Sequence, residues 1–174
     1  MNNLILVRHG QSLWNLERRF TGWADIDLTE QGKAEAQYAG KLVSQTQIEF
    51  DTYFTSFQKR AINTLEIILK ILNKKNLKIK KAWQLNERHY GALTGLNKDE
   101  ITEKHGKQQV HIWRRSFNIP PPPMEKTHLH NPYKNKAYAS IPPDKIPDCE
   151  SLKKTFERVI PYYEKSIVPL LSSK

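Results

Sequence analysis

Cysteine is nearly absent from this sequence: Cys149 stands alone among 174 residues. A single thiol makes no internal disulfide, and such usage fits a reducing compartment. Long apolar runs are missing too, so no stretch suits a bilayer span. The opening Met1-Asn2-Asn3-Leu4 lacks the basic segment and apolar core of a secretory leader, and the expected location is cytoplasmic. Acidic residues are in deficit: 18 Asp+Glu face 28 Lys+Arg, for a net charge of +10. That balance favours anionic partners. Much of the excess is one lysine cluster, Lys70, Lys74, Lys75, Lys78, Lys80 and Lys81. The aromatics or motif that nucleic-acid binding requires are missing around it, so it reads as a solvated face. Neither nucleic acid nor a membrane is expected as a partner, and there are no internal repeats.

The length suits one domain spanning 1–174 with a sizeable core. Leu4-Ile5-Leu6-Val7 predicts a strand buried on both faces, as in a parallel sheet. Arg8-His9-Gly10 then falls at the strand's carboxyl end, where open α/β sheets bind ligands. Alone, this triplet reads equally well as a polar turn. Thr29 suits the N-cap of a helix whose apolar face is Ala36, Ala39 and Val43. Asp51 to Ser56 predicts a second strand. Gln58 to Leu72 predicts a helix with Ile62, Leu65, Leu69 and Leu72 as its core stripe. Leu77 to Trp83 predicts a third, edge-like strand. Strands alternating with helices imply an α/β fold with a mostly parallel sheet between helical layers.

From Leu96 to Pro147 the pattern changes. Short helices at about Lys98–His105 and Val110–Arg115 give way to Pro120-Pro121-Pro122-Pro123 and an irregular stretch. Residues 96–147 therefore read as an insertion, a lid or a linker. A last helix is expected over Ser151–Val168, with Leu152, Phe156, Val159, Ile160, Tyr163 and Ile167 inward and a kink or break at Pro161.

Several residues carry candidate chemistry. His9 is a candidate phosphoryl acceptor, since neutral imidazole is a competent nucleophile near pH 7. Arg8, Arg60, Arg114 and Arg115 suit bidentate contact with phosphate and carboxylate oxygens, and Lys98 adds a point charge. Glu87 is a candidate proton carrier; alone, it reads as an ion-pair partner of Arg88. Arg114-Arg115 alone reads as a solvated helix end, and His89 reads as structural. His128-Leu129-His130 is only superficially ligand-like, and no metal site is expected.

Taken together, the motifs resemble those of the cofactor-dependent phosphoglycerate mutases of the histidine phosphatase superfamily. Leu6-Val7-Arg8-His9-Gly10 marks the superfamily. Gln11-Ser12-Leu13-Trp14-Asn15 with Phe20-Thr21-Gly22-Trp23, Leu85 to Gly95, and Arg114 to Pro123 resemble the mutases that use 2,3-bisphosphoglycerate. Pro147 to Leu152 resembles the stretch before the family's last long helix, with Cys149 where threonine is common. The resemblance implies that 2,3-bisphosphoglycerate phosphorylates His9 and that Glu87 exchanges protons with substrate hydroxyls. It implies that Arg8, Ser12, Asn15, Thr21, Gly22 and Arg60 surround the transferred phosphoryl group. Arg88, Tyr90, Lys98, Arg114 and Arg115 complete the implied binding set for small phosphorylated metabolites. The implied reaction interconverts 3-phosphoglycerate and 2-phosphoglycerate without a metal, arginines supplying the charge neutralisation. A homodimer is a further implication.

One family feature does not occur in these residues. The family carries a second catalytic histidine on a further core strand, in a motif of the form Ala-His-Gly-Asn-Ser, and no such motif is present. Losing one preorganised donor costs about 10²–10³ in rate. The expectation is a C-terminally truncated polypeptide that alone is poorly active and weakly stable: an interrupted mutase, or a short chain that binds phosphorylated ligands without turnover. A phosphatase of the same superfamily is the alternative enzyme.

Overall fold

Thr29 caps helix α2 (Glu30–Gln45), its hydroxyl accepting from the Gly32 amide at 3.0 Å. The computed structural model describes residues 3–75, 77 and 79–172, so Lys78, which belongs to both the lysine cluster and the expected third strand, lies outside the described residues. The buried face of α2 is Gly32, Ala36 and Gly40, one small residue per turn. A Cβ on Gly40 would stand 3.0 Å from the Ile71 Cβ, so the small residues set how closely α2 approaches α3 (Lys59–Ile71).

The inward face of α3 differs from the expected stripe. Arg60, Thr64, Ile68 and Leu69 are buried, while Ile62, Leu65 and Leu72 are only half-buried. Two polar residues take inward positions because each is hydrogen-bonded there. Thr64 donates to the Arg60 carbonyl at 2.7 Å and accepts from the Gly10 amide at 3.1 Å.

Strands β1 (Tyr53–Thr55) and β2 (Ile79–Lys81) pair in parallel, Tyr53 opposite Ile79 and Thr55 opposite Lys81. Among the described residues the sheet has these two strands, fewer than expected. Leu4–Val7 corrects the first prediction: the run is extended but joins no ladder, and Leu6 is 85% exposed. A strand buried on both faces needs a hydrogen-bonded neighbour, and this run has none. Instead it shares with β1 and α3 the walls of a cavity of about 560 Å³.

A short helix, α1 (Leu13–Leu16), lies in the segment read as loop. Helices α4 (Lys98–His105) and α5 (Lys107–Arg115) meet at Gly106, whose φ of +82° suits glycine. Beyond α5 the insertion is irregular apart from short 3₁₀ turns, as its prolines imply. It is nonetheless anchored: Tyr138 and Ile141 are buried against Trp23, and the Tyr138 hydroxyl donates to the Trp23 carbonyl at 2.8 Å. A second cluster joins Phe20 and Leu93 to Ile101 of α4 and Val110 of α5.

Ser151 caps α6 (Leu152–Tyr162), which continues through a π-helical turn (Tyr163–Ile167) into α7 (Val168–Ser172). Pro161 does not split α6; the geometry changes two residues later, where the ladder missing a proline N–H loosens into the wider turn. Leu152 and Phe156, expected inward, are exposed at 37% and 54%. The inward anchor of α6 is Arg158, described below.

Candidate active site

Gly10 crosses Gly32 so closely that a Cβ on either would overlap the other's neighbouring backbone. This crossing fixes the chain beside His9. His9 Nδ1 lies 2.6 Å from the Gly10 carbonyl. A carbonyl only accepts, so Nδ1 carries the proton and Nε2 keeps its lone pair. Arg60 Nε donates to that Nε2 at 3.3 Å. Burial is the largest influence on His9 and lowers its pKa below the ordinary histidine value. The Gly10 carbonyl and Glu87 oppose this, and the charges of Arg60 and Arg8 reinforce it. The result is a neutral imidazole with Nε2 as its nucleophilic atom.

Arg60, in the first turn of α3, is fully buried. It donates to the Ala24 carbonyl at 3.0 Å, to the Gly22 carbonyl at 2.9 Å and to Glu87 Oε2 at 2.8 Å. It thereby joins the histidine to the carboxylate. The Glu87 side chain is 36% exposed, so its carboxylate is tethered yet reachable. Arg60, not Arg88, is its ion-pair partner, which corrects the reading of Glu87 taken alone. Trp23 Nε1 donates to the Glu87 carbonyl at 2.8 Å and holds its backbone.

The remaining cations converge on this pair unequally. Burial is the main cause that lowers the pKa of half-buried Lys98. Arg114, Arg18 and Arg8 add to the lowering, and Glu87 opposes it. Arg114, Arg18, Arg8 and Glu87 therefore all lie within electrostatic reach of Lys98. Arg115 is exposed in the last turn of α5, where the helix dipole favours a cation.

Other predicted residues are spent on structure. Ser12 and Asn15 form a capping box on α1: Ser12 Oγ accepts from the Asn15 amide, and Asn15 Oδ1 accepts from the Ser12 amide. Asn15 also lines the cavity with Arg8, His9 and Glu87. Arg88 is buried over the Tyr90 ring and donates to the carbonyls of Trp113 and Arg114, so it holds the end of α5. Gly22, at φ +53°, turns its carbonyl toward Arg60. The Thr21 hydroxyl is buried without a hydrogen-bond partner among the described residues. His89 is fully buried, its Nδ1 accepting from the Gly91 amide at 3.0 Å. No group of three or more metal-ligating side chains occurs among the described residues, and no described helix is long and apolar enough to cross a membrane.

Sequence reasoning missed three supporting residues. Gln58, buried, donates to the Gly22 carbonyl at 2.7 Å and accepts from the Glu87 amide at 3.1 Å. Arg158 pairs with Glu150 at 2.6 Å, both nearly inaccessible, and donates to the carbonyls of Gln84 and Asn86. Glu150 in turn accepts from the His89 amide at 2.8 Å. The segment carrying Glu87 is thus tied to α6. Their only sequence signal was polarity at positions patterned as helix face or helix start.

Residues 4–131 match the family described as the histidine phosphatase superfamily, branch 1. The chain is 56% identical over 163 residues to a 2,3-bisphosphoglycerate-dependent phosphoglycerate mutase of Pelagibacter ubique, covering 94% of this chain and 68% of the relative. It is 54% identical to the enzyme of the same name from Erythrobacter litoralis, covering 99% and 75%. Among solved structures, a mycobacterial hydrolase shares the fold with a TM-score of 0.66 at 20% identity, over 95% of this chain and 63% of that one. A phosphoglycerate mutase from Thermus thermophilus gives a TM-score of 0.56 at 24% identity, over 92% and 70%.

Proposed function

The chain belongs to the histidine phosphatase superfamily, among the 2,3-bisphosphoglycerate-dependent phosphoglycerate mutases, and we propose that it interconverts 3-phosphoglycerate and 2-phosphoglycerate through a phosphoryl group carried on His9 Nε2. The observation that carries this reading is the buried Arg60 bridging a neutral imidazole to a reachable carboxylate.

The residues present suit a small, multiply anionic ligand. Arg8, Lys98 and Arg114 offer cations around Glu87, and the Thr21 hydroxyl is buried with its hydrogen-bonding capacity unused. When bound, 2,3-bisphosphoglycerate supplies the phosphoryl group. The Nε2 lone pair of His9 takes the phosphorus, while Nδ1–H remains on the Gly10 carbonyl and disperses the charge that develops on the ring. Glu87 would serve as the proton shuttle: in its acid form it would protonate the glycerate oxygen released as the P–O bond breaks, and the resulting carboxylate would take the proton of the hydroxyl that later receives the phosphoryl group. Arg8, Lys98 and Arg114 neutralise phosphate and carboxylate charge, as arginines and metal ions do in other phosphoryl transfers.

In this reading the partners are small phosphorylated metabolites, the location is the cytoplasm, residues 96–147 act as a lid, and the chain pairs as a homodimer. The test is interconversion of the two phosphoglycerates assayed with and without 2,3-bisphosphoglycerate. Turnover that depends on it supports a mutase; phosphate release that ignores it moves the assignment to a phosphatase.

A further inference from the structure

Gln58 occupies the N-cap position of α3, yet its side chain makes no bond to its own helix. An N-cap side chain ordinarily satisfies the first amides of its helix. In this chain Asp25, from the preceding loop, takes over: its Oδ1 accepts from the Lys59 amide at 2.7 Å. The Gln58 amide is thereby free to turn sideways. It is 2% exposed. Its Nε2 donates to the Gly22 carbonyl at 2.7 Å, and its Oε1 accepts from the Glu87 amide at 3.1 Å. The Tyr138 hydroxyl also faces it.

The Gly22 carbonyl is shared. It accepts from Gln58 and from Arg60, whose same nitrogen holds the Glu87 carboxylate. Trp23 and Arg158 hold the Glu87 carbonyl; its carboxylate is held by Arg60 and its backbone amide by Gln58, these two both referred to the Gly22 carbonyl. A single tether would leave the half-exposed carboxylate free to swing about its backbone.

We infer that Gln58 is a positioning residue for Glu87, fixing the carboxylate by holding its backbone to the Gly22 carbonyl. It touches no reacting atom. The inference rests on the reading of Glu87 as proton carrier, and its test separates the two.

Two variants serve. Gln58→Leu removes both hydrogen bonds. Gln58→Glu keeps the shape and the acceptor for the Glu87 amide, but loses the donor to Gly22 and places a second carboxylate beside the first. Arg60 of α3 lies on the Glu87 carboxylate and Arg158 of α6 on its carbonyl; neutral His9 and the Lys98 ammonium are within electrostatic reach, and Arg8 lines the same cavity. None of these is changed.

The first readout is independent of activity. Amide hydrogen exchange at Glu87 should rise at least tenfold in Gln58→Leu while the amides of α3 stay protected. The second readout is kinetic. Return of the phosphoryl group from His9 to a glycerate hydroxyl should slow by about 10²-fold in Gln58→Leu, the scale of a misplaced catalytic group, with KM within twofold and the final labelling of His9 unchanged. Unchanged exchange at Glu87, or transfer within twofold of the original, overturns the inference. A chain whose His9 never accepts phosphate overturns the mutase reading instead, and the amide exchange at Glu87 then decides Gln58 alone.

Discussion

Arg60 holds the Glu87 carboxylate at 2.8 Å while its own guanidinium is wholly buried. The arrangement is asymmetric. Glu87 can give up one contact and still reach water, but Arg60 has no solvent to fall back on. Its charge is balanced by this carboxylate and by the carbonyls of Gly22 and Ala24. Arg60 is thus both a structural tie and the link between the His9 imidazole and the Glu87 carboxylate.

Arg60→Ala should cost about 3 kcal/mol, since it removes one donor from each of the Gly22 and Ala24 carbonyls and leaves Glu87 without its counter-charge. Arg60→Lys keeps a charge but not the fork, and should recover about half of that stability while leaving phosphoryl transfer at least tenfold slower. Urea unfolding of both variants checks the first statement, and rapid-quench transfer assays the second.

Acid should weaken the fold through His89. Burial pushes its pKa down to about 4, so the folded chain keeps His89 neutral where an unfolded chain protonates it. A depressed histidine lets the unfolded state bind the extra proton, so stability is full above about pH 6.5 and falls as pH drops toward 4. The loss by pH 4 is about 3 kcal/mol. Urea midpoints measured from pH 7 to 4 should fall accordingly, and His89→Phe should flatten the slope.

His9 obeys the same sign for function. Its lowered pKa means that phosphoryl acceptance should persist as pH falls through the ordinary histidine value and fade only below it. A pH profile of the labelling rate with its acid limb at or above the ordinary value would contradict the burial seen at His9.

The two ends of the cavity should respond differently to mutation. Leu6 is exposed and unpaired, so Leu6→Ser should change stability by less than about 0.5 kcal/mol. Ile68 is 5% exposed on α3, so Ile68→Ala should cost about 2–4 kcal/mol. A large loss at Leu6 would mean that Leu4–Val7 is packed as a strand after all.

Local signals in the sequence were legible where one residue decides local structure. Thr29 caps α2, and the prolines after Arg115 break regular structure. His9 and Glu87 were singled out because the residue types and their neighbours point to one chemistry, and the fold joins both to Arg60. Leu4–Val7 was misread because an apolar run states a preference for a ladder, and a ladder also needs a partner elsewhere in the chain. Phe156 was misread because periodicity finds a face without saying what covers it. Gln58 and Arg158 showed only polarity at patterned positions, since their roles come from carbonyls and amides far away in sequence.

The most direct test of the account is phosphoryl capture by His9. The protein is mixed with 2,3-bisphosphoglycerate bearing radioactive phosphate, quenched in alkali and digested. The account predicts one acid-labile, alkali-stable phosphopeptide containing His9, present in the unaltered chain and absent from His9→Ala. Label on another residue, or no label at saturating donor, would contradict it.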